Sequence, residues 1–310
     1  MQLTNRRVRL MGTVIDVSIY HEEPEPLLDQ VEALLHTYNK RFSANDDSSE
    51  LMKINKAAGL HPVTVHPELF ELISLGKWHS CQPGSHLNIA IGPLIQTWRI
   101  GFSDAKLPLP EEIRPLLDII NPNAILLSEE NQSVFLKEKG MKIDLGALAK
   151  GYIADRIADF LKAEKVTSAL INLGGNVLTF GPALHNPDHK WRIGIQNPKE
   201  TRNTNLMVLA IRDKSVVTSG IYERTFEIDG KTYHHIFNSQ TGYPVSSDLA
   251  SLTIISSLSV DGEIWTTRLF GSSLEHIFQE VSSQAELEAI IVDKDNHCFQ
   301  TGGIYKMRIS

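Results

Sequence analysis

The chain has 310 residues, 42% hydrophobic and 22% charged, with a net charge of −7. That is the make-up of a soluble globular protein long enough to bury a large core, and it excludes a disordered or membrane-spanning chain. Net acidity without a Lys/Arg block points away from nucleic acid, and two cysteines, Cys81 and Cys298, give neither a disulfide framework nor a paired metal spacing.

In chain order, residues 7–20 alternate apolar and polar and read as one or two strands around Met11-Gly12-Thr13. Pro26 opens a helix with Leu27, Leu28, Val31, Leu34, Leu35 and Tyr38 at helical spacing. A polar loop, 41–51, follows, in which Ser48 or Ser49 can cap a short helix over 50–55. Pro67 starts a helix ending near Ser80, and 82–98 reads as a loop. The proline-rich segment 101–121 is expected to be irregular with one short helix over 110–119, and 124–128 with 133–137 form a hairpin. Residues 141–144, MKID, read as a short strand that breaks at Leu145-Gly146 into a helix burying Leu148, Tyr152, Ile153, Ile157, Phe160 and Leu161. Further strands are expected at 168–173, 177–180, 191–195, through much of 206–237, at 252–256 and in the tail 288–308, with a tight turn at Asp229-Gly230 and a helix after Asp261. Irregular alternation of strands and helices, with no internal repeat and no low-complexity linker, gives α+β with a mostly antiparallel sheet and packed helices, over 1–310 as a single domain.

The residues with chemical potential lie in four places. Asp144 stands where a helix N-cap would stand, and Gly146 permits a sharp turn, so the helix start offers free N–H groups to an anion. Lys150 lies in its first turns, the wrong sign for the dipole unless a phosphate sits between them; a plain strand–helix turn with a surface lysine is the alternative. The strand ending in Thr241-Gly242 carries adjacent His234 and His235, which point to opposite faces, so one can serve a site as a base while the other is structural. Thr218-Ser219-Gly220 can offer hydroxyl and N–H groups to a phosphate, or be a simple turn. Glu263 and Thr267 share one helix face and supply hard oxygen donors suited to Mg²⁺, or are ordinary helix residues. No HExxH, CxxC or GxSxG pattern occurs.

Taken together and in order, MGTVIDV, RFSANDDSSELMKIN, IGPLIQTWRIGF, KIDLGALAKGYIAD, LINLGGNV, WRIGIQNP, VVTSGIYER, HHIFNSQTGYP and EIWTTRLFG resemble the ApbE-type flavin transferases, from about residue 11 to 271. The resemblance implies a T-fold-like architecture and an enzyme that uses Mg²⁺, cleaves FAD, and attaches FMN through a phosphoester to a Thr or Ser of an acceptor flavoprotein. It implies metal ligation by Ala147 (through its carbonyl), Glu263 and Thr267, with His235 as the base for the acceptor hydroxyl. It places Lys150 near the phosphates, Met11 near the flavin, and Gly174, Gly175, Asn176, Thr218, Ser219 and the loop containing Phe42, Ser43 and Glu50 against FAD, with Asp144 also among the cofactor-binding residues. Three positions depart from the family pattern. Glu263 replaces an Asp, Asn238-Ser239 replaces an Asp-Pro that could hold the imidazole tautomer, and Asn88-Ile89-Ala90 replaces Asp-Pro-Thr.

An FAD pyrophosphatase, with water as acceptor, and a catalytically silent FAD-binding protein are the rival readings. The first 20 residues hold no apolar run long enough for a signal peptide or lipoprotein signal. A cytoplasmic location is therefore expected, although a chain trimmed of an export signal would read the same.

Overall fold

The computed structural model describes residues 2–202 and 204–309. Its first hairpin joins β1 (Leu3–Leu10) to β2 (Thr13–Tyr20) through Met11 at φ 54° and Gly12 at φ 71°. Positive φ at both loop positions suits the right-handed twist of the paired strands. Helix α1 (Pro24–Phe42) begins ahead of the expected Pro26, because Pro24 itself fits the first turn, where an N–H is not needed. Ser49, rather than Ser48, caps α2 (Glu50–Lys56), its hydroxyl accepting the Met52 amide at 3.0 Å.

After β3 (Val63–Thr64) and α3 (Pro67–Ser80), the stretch read as a loop ends instead in α4 (Gly92–Trp98), with Pro93 in its first turn. The next elements are α5 (Pro110–Leu117), β4 (Ile125–Ser128) and β5 (Ser133–Leu136). Residues 141–144 do not form the expected strand. Only Lys142 bridges, to Ile91, while Gly92 N donates to Lys142 O at 3.2 Å and Asp144 N to Ile89 O at 2.9 Å. The local apolar run is thus docked irregularly on the 89–92 segment, a tertiary contact that sequence periodicity does not report.

Helix α6 (Ala149–Ala163) leads into β6 (Ala169–Leu173), β7 (Asn176–Phe180), β8 (Trp191–Gln196), β9 (Asn205–Ile211) and β10 (Ser215–Gly220). A small hairpin follows, β11 (Thr225–Ile228) and β12 (Lys231–His234), turned at Asp229-Gly230 as expected. Then come β13 (Leu249–Ser256), α7 (Ser259–Leu269) and α8 (Leu274–Ser282), the last absent from the sequence expectation although Ser273 caps it. The tail forms β14 (Glu288–Asp293) and β15 (Cys298–Gln300), but Gly302–Lys306 is a 3₁₀ turn rather than a closing strand.

Eight strands form one sheet in the order β1-β2-β6-β7-β10-β13-β14-β15, and every neighbouring pair is antiparallel. The α+β reading with a mostly antiparallel sheet therefore holds. Alternate residues serve opposite faces. Ile254 and Ile291 join the core beneath the helices, whereas Ile255 and Ile290 join Trp191, Ile195 and Leu209 of the β8–β9 hairpin on the other face. A third cluster, Leu94, Trp98, Ile113, Ile120 and Phe237, seats α4 and α5 against the β11–β12 region. Trp98 Nε1 donates to Gly242 O at 2.9 Å, tying the Thr-Gly turn to this cluster. Among the described residues, no helix is long and apolar enough to cross a membrane.

Helices α6 and α7 approach most closely at Gly151. A Cβ there would lie 2.5 Å from Ser259 O and 2.7 Å from Val260 Cα. One turn further along α6, the buried Asp155 accepts the amides of Ser259 at 2.7 Å and Val260 at 2.9 Å. The residue before α7, Leu258, has no side chain able to cap, so the cap comes from the neighbouring helix. Substituting Gly151→Ala forces the helices apart and is expected to cost about 1–3 kcal/mol, the usual scale of overpacking. Urea unfolding of the variant beside the parent measures it; an unchanged midpoint would mean that the contact is looser than described.

Candidate active site

One end of the large sheet gathers several turns. Gly174, at φ 66°, comes so close to the β1–β2 turn that a Cβ would stand 2.2 Å from Thr13 Oγ1. Gly175, at φ 96°, has open space where its side chain would be, and its amide is held by Asn172 Oδ1 at 2.8 Å. The β6–β7 turn therefore offers bare backbone, with half-buried Met11 in the adjoining turn. Thr218 and Ser219 lie half-buried near the same end of β10, where Thr218 Oγ1 shares a hydrogen bond of 2.8 Å with Thr253 Oγ1.

Asn176, the first residue of β7, links this rim to the helices. Its Oδ1 accepts from the Ser259 hydroxyl, which leaves Nδ2 to donate to Glu263 Oε1 at 2.9 Å. Lys150 Nζ lies 3.2 Å from the same oxygen. Glu263 is only 4% exposed, so its charge is sustained by these two donors. No described residue is bonded to Oε2. The methylene by which Glu exceeds Asp lies over Gly151, where a Cβ would sit 2.8 Å from Glu263 Cγ; the missing side chain makes room for the longer stem. Thr267 stands one turn further along α7, half-buried.

The start of α6 differs from the expectation in one respect. Leu148 occupies the cap position without a side-chain bond, and Asp144 Oδ1 instead accepts the Gly146 amide at 2.7 Å, closing a short turn before the helix. Asp144 is not the N-cap because four residues, 145–148, intervene before α6. Burial raises its carboxyl pKa, opposed by the Gly146 amide and by the nearby Arg224 charge. Lys150 does lie in the first turn. The Ala147 carbonyl, just ahead of it, accepts no hydrogen bond from the described residues.

The two histidines separate cleanly. His234 closes β12 and is fully occupied: Nε2 bonds to Val245 O at 3.0 Å and Nδ1 accepts the Ile236 amide at 3.3 Å. His235, just past the strand, has Nδ1 3.3 Å from Arg224 O. A carbonyl only accepts, so Nδ1 carries the proton and Nε2 keeps its lone pair. Burial, and then the Arg224 guanidinium, push the imidazole pKa down to about 4, with smaller contributions from His234 and Lys150. The ring is neutral near pH 7, as a base must be. Asn238 does not orient it; its Oδ1 accepts the Gln240 amide and its carbonyl the Gly242 amide, both at 2.8 Å, building the Thr-Gly turn. Tautomer control belongs to the Arg224 main chain.

Other expected contacts are spent on the fold. Phe42 is 5% exposed, stacked on Tyr38 and edge-on to Tyr152. Ser43 gives its carbonyl to the Ser49 hydroxyl at 2.6 Å and its own Oγ to the Asn45 amide at 3.2 Å. Glu50 accepts the His66 amide at 2.6 Å and pairs with Arg41 at 3.6 Å. Asn88 is buried, donating to Ile120 O and accepting the Ala90 amide, each at 2.8 Å, so it shapes the 88–91 turn that receives Asp144. Sequence reasoning missed Gly151, Asp155, Ser259 and the role of the Arg224 carbonyl. The only advance signal for Gly151, Asp155 and Arg224 was their position inside KIDLGALAKGYIAD and VVTSGIYER, which carries no information about pairing across the fold; Ser259 lies outside every such segment.

The ApbE family model matches residues 11–291. A Klebsiella pneumoniae protein named FAD:protein FMN transferase is 44% identical over 286 residues, covering 92% of this chain and 88% of its own length. A Treponema pallidum protein of the same name is 32% identical over 315 residues, covering 97% and 87%. In fold, the crystal structure of the ApbE protein from Thermotoga maritima matches with a TM-score of 0.91 at 24% identity, over 100% of both chains. With a family match over nearly the whole length, and relatives this similar in sequence, the chain belongs to the ApbE family of flavin transferases.

Proposed function

We propose that this enzyme transfers FMN from FAD to a Thr or Ser hydroxyl of an acceptor flavoprotein, forming a phosphoester and releasing AMP, with Mg²⁺ as the metal. The observation that carries the reading is His235: a neutral imidazole with Nδ1 committed to a main-chain carbonyl and Nε2 free to take a proton. Curated relatives named for this activity support it.

The donor set fits Mg²⁺. Glu263 offers a buried carboxylate with Oε2 free of protein partners, Thr267 a hydroxyl on the same helix face, and Ala147 an unused carbonyl, all hard oxygens. Bound there, the metal supplies positive charge that neutralises the diphosphate. The chain's own groups do the rest. Bare backbone at Gly174 and Gly175, with Met11, Thr218 and Ser219 nearby, receives FAD; Asp144, through its turn, sets the start of α6; and Lys150 faces the phosphates. In the light of the core position of Phe42 and the tied-down Ser43 and Glu50, the 42–50 loop acts on FAD through its shape. His235 Nε2 removes the acceptor hydroxyl proton as that oxygen bonds to the FMN phosphorus. The bond from this phosphorus to the bridging oxygen breaks, and AMP leaves with the electron pair. Positioning and charge stabilisation supply most of the acceleration.

The test is FAD plus Mg²⁺ with a candidate FMN-binding acceptor domain, followed by intact mass. An added mass equal to FMN, lost in His235→Ala and Glu263→Ala, is the expected result; each variant should fall by about 100-fold or more, the scale of a lost base or charge clamp. AMP without an adduct, across several acceptors, would make the enzyme an FAD pyrophosphatase. FAD binding with neither product would make it a binding protein.

Acid dependence provides a separate check. Because the folded-state pKa of His235 is depressed to about 4, the base stays neutral where an ordinary histidine, near 6.5, would be charged. The acid limb of kcat/KM for FAD should therefore lie well below 6.5. The same depression means that the unfolded chain takes up this proton first, so His235 contributes to a loss of stability as pH falls from 6.5 toward 4. An acid limb at the ordinary histidine value would remove His235 from the role of a base with a depressed pKa.

A further inference from the structure

Arg224 lies four residues beyond β10, exposed, at the edge of the site. Its side-chain stem rests on Gly101: a Cβ on that glycine would be 3.0 Å from Arg224 Cδ and 3.5 Å from Cγ. Gly101 has φ 91°, a conformation open to glycine, so the seat is a glycine for two reasons, backbone angle and room for the arginine. Among the described residues, no carboxylate lies within ion-pair distance of this guanidinium. Yet its charge acts on Asp144, before α6, and on His235, after β12. A cation with no carboxylate at ion-pair distance, its stem seated on Gly101 and its own carbonyl bonded to His235, is matched to an anion brought in by the substrate.

We propose that Arg224, seated on Gly101, binds a phosphate oxygen of FAD beside His235. This rests on the flavin-transfer reading above and adds a phosphate-binding residue to it. The diphosphate is the anionic part of FAD, and a guanidinium fork suits phosphate oxygens better than an ammonium does. One residue thus serves the site twice. Its carbonyl orients the base, and its side chain holds the group on which the base's substrate acts. The groups whose charges reach His235 are Arg224, His234 and Lys150.

The experiment compares the parent with Arg224→Met, Arg224→Lys and Gly101→Ala, measuring affinity for FAD, ADP and riboflavin, and transfer to the acceptor domain. Arg224→Met should weaken FAD and ADP by about tenfold or more, the scale of a charge-assisted hydrogen bond, and leave riboflavin, which has no phosphate, unchanged. Arg224→Lys should recover part of the loss. Gly101→Ala should weaken the same two ligands with position 224 intact. In Arg224→Met the acid limb of kcat/KM should also move upward, part of the way from about 4 toward 6.5, because burial remains. Unchanged FAD and ADP affinity in Arg224→Met, or an equal loss for all three ligands, overturns the inference while leaving flavin transfer standing. A parent enzyme that binds no FAD overturns the reading beneath it.

Discussion

The site depends on a buried carboxylate that must be kept charged. Glu263 is 4% exposed, and Lys150 and Asn176 share one of its oxygens. Those two partners come from a helix and a strand far apart in sequence. Their meeting requires α6 and α7 to touch at Gly151, α7 to start where Asp155 caps it, and Asn176 to be turned by Ser259. Glu263, Lys150 and the sheet-end turn at Asn176 are therefore set by one packing contact and its hydrogen bonds. A small change at the helix crossing would be transmitted to all of them.

His235 is built on a separate footing. It follows the β11–β12 hairpin, whose Phe226 and Tyr233 pack on Trp98, Ile113 and Phe237, while Ile236 packs against the core that holds α6 and α7. Its orientation comes from Arg224 and its turn from Asn238, with Trp98 anchoring Gly242. The Glu263 and His235 sides of the site thus belong mainly to two hydrophobic clusters of one chain, brought to face each other by the stretch between β10 and β13.

Much of this was legible in the sequence, where a signal was local. The helix starts at Pro67 and Pro110, a serine cap for α2 (Ser49 of the two candidates), the Asp229-Gly230 turn and most of the alternating strands are decided by neighbours a few residues away, and they appear as expected. Residues 141–144 were misleading because their apolar spacing is satisfied by docking on 89–92 rather than by a sheet ladder. Helix α4 hid inside a loop-like run, its Pro93 being as compatible with a turn as with a first helical turn. For the candidate site, the structure brings Lys150, Asn176 and Glu263 together, and the sequence motifs do not give the reason they cohere. Gly151 looks like any helical glycine until the second helix lies against it, and Asp155 looks like an exposed helix residue until it is found capping α7. Phe42 and Glu50 show the converse: residues inside a functional motif whose side chains hold the loop together.

The Arg224 carbonyl has a consequence for how this site can vary. A main-chain oxygen is the same in every amino acid, so substitution at 224 cannot delete the acceptor that fixes the imidazole proton on Nδ1. What changes is the charge beside the ring. The geometry of the imidazole and the charge beside it are thereby uncoupled: a substitution at 224 alters the second, together with whatever the side chain binds, while the first is inherited intact.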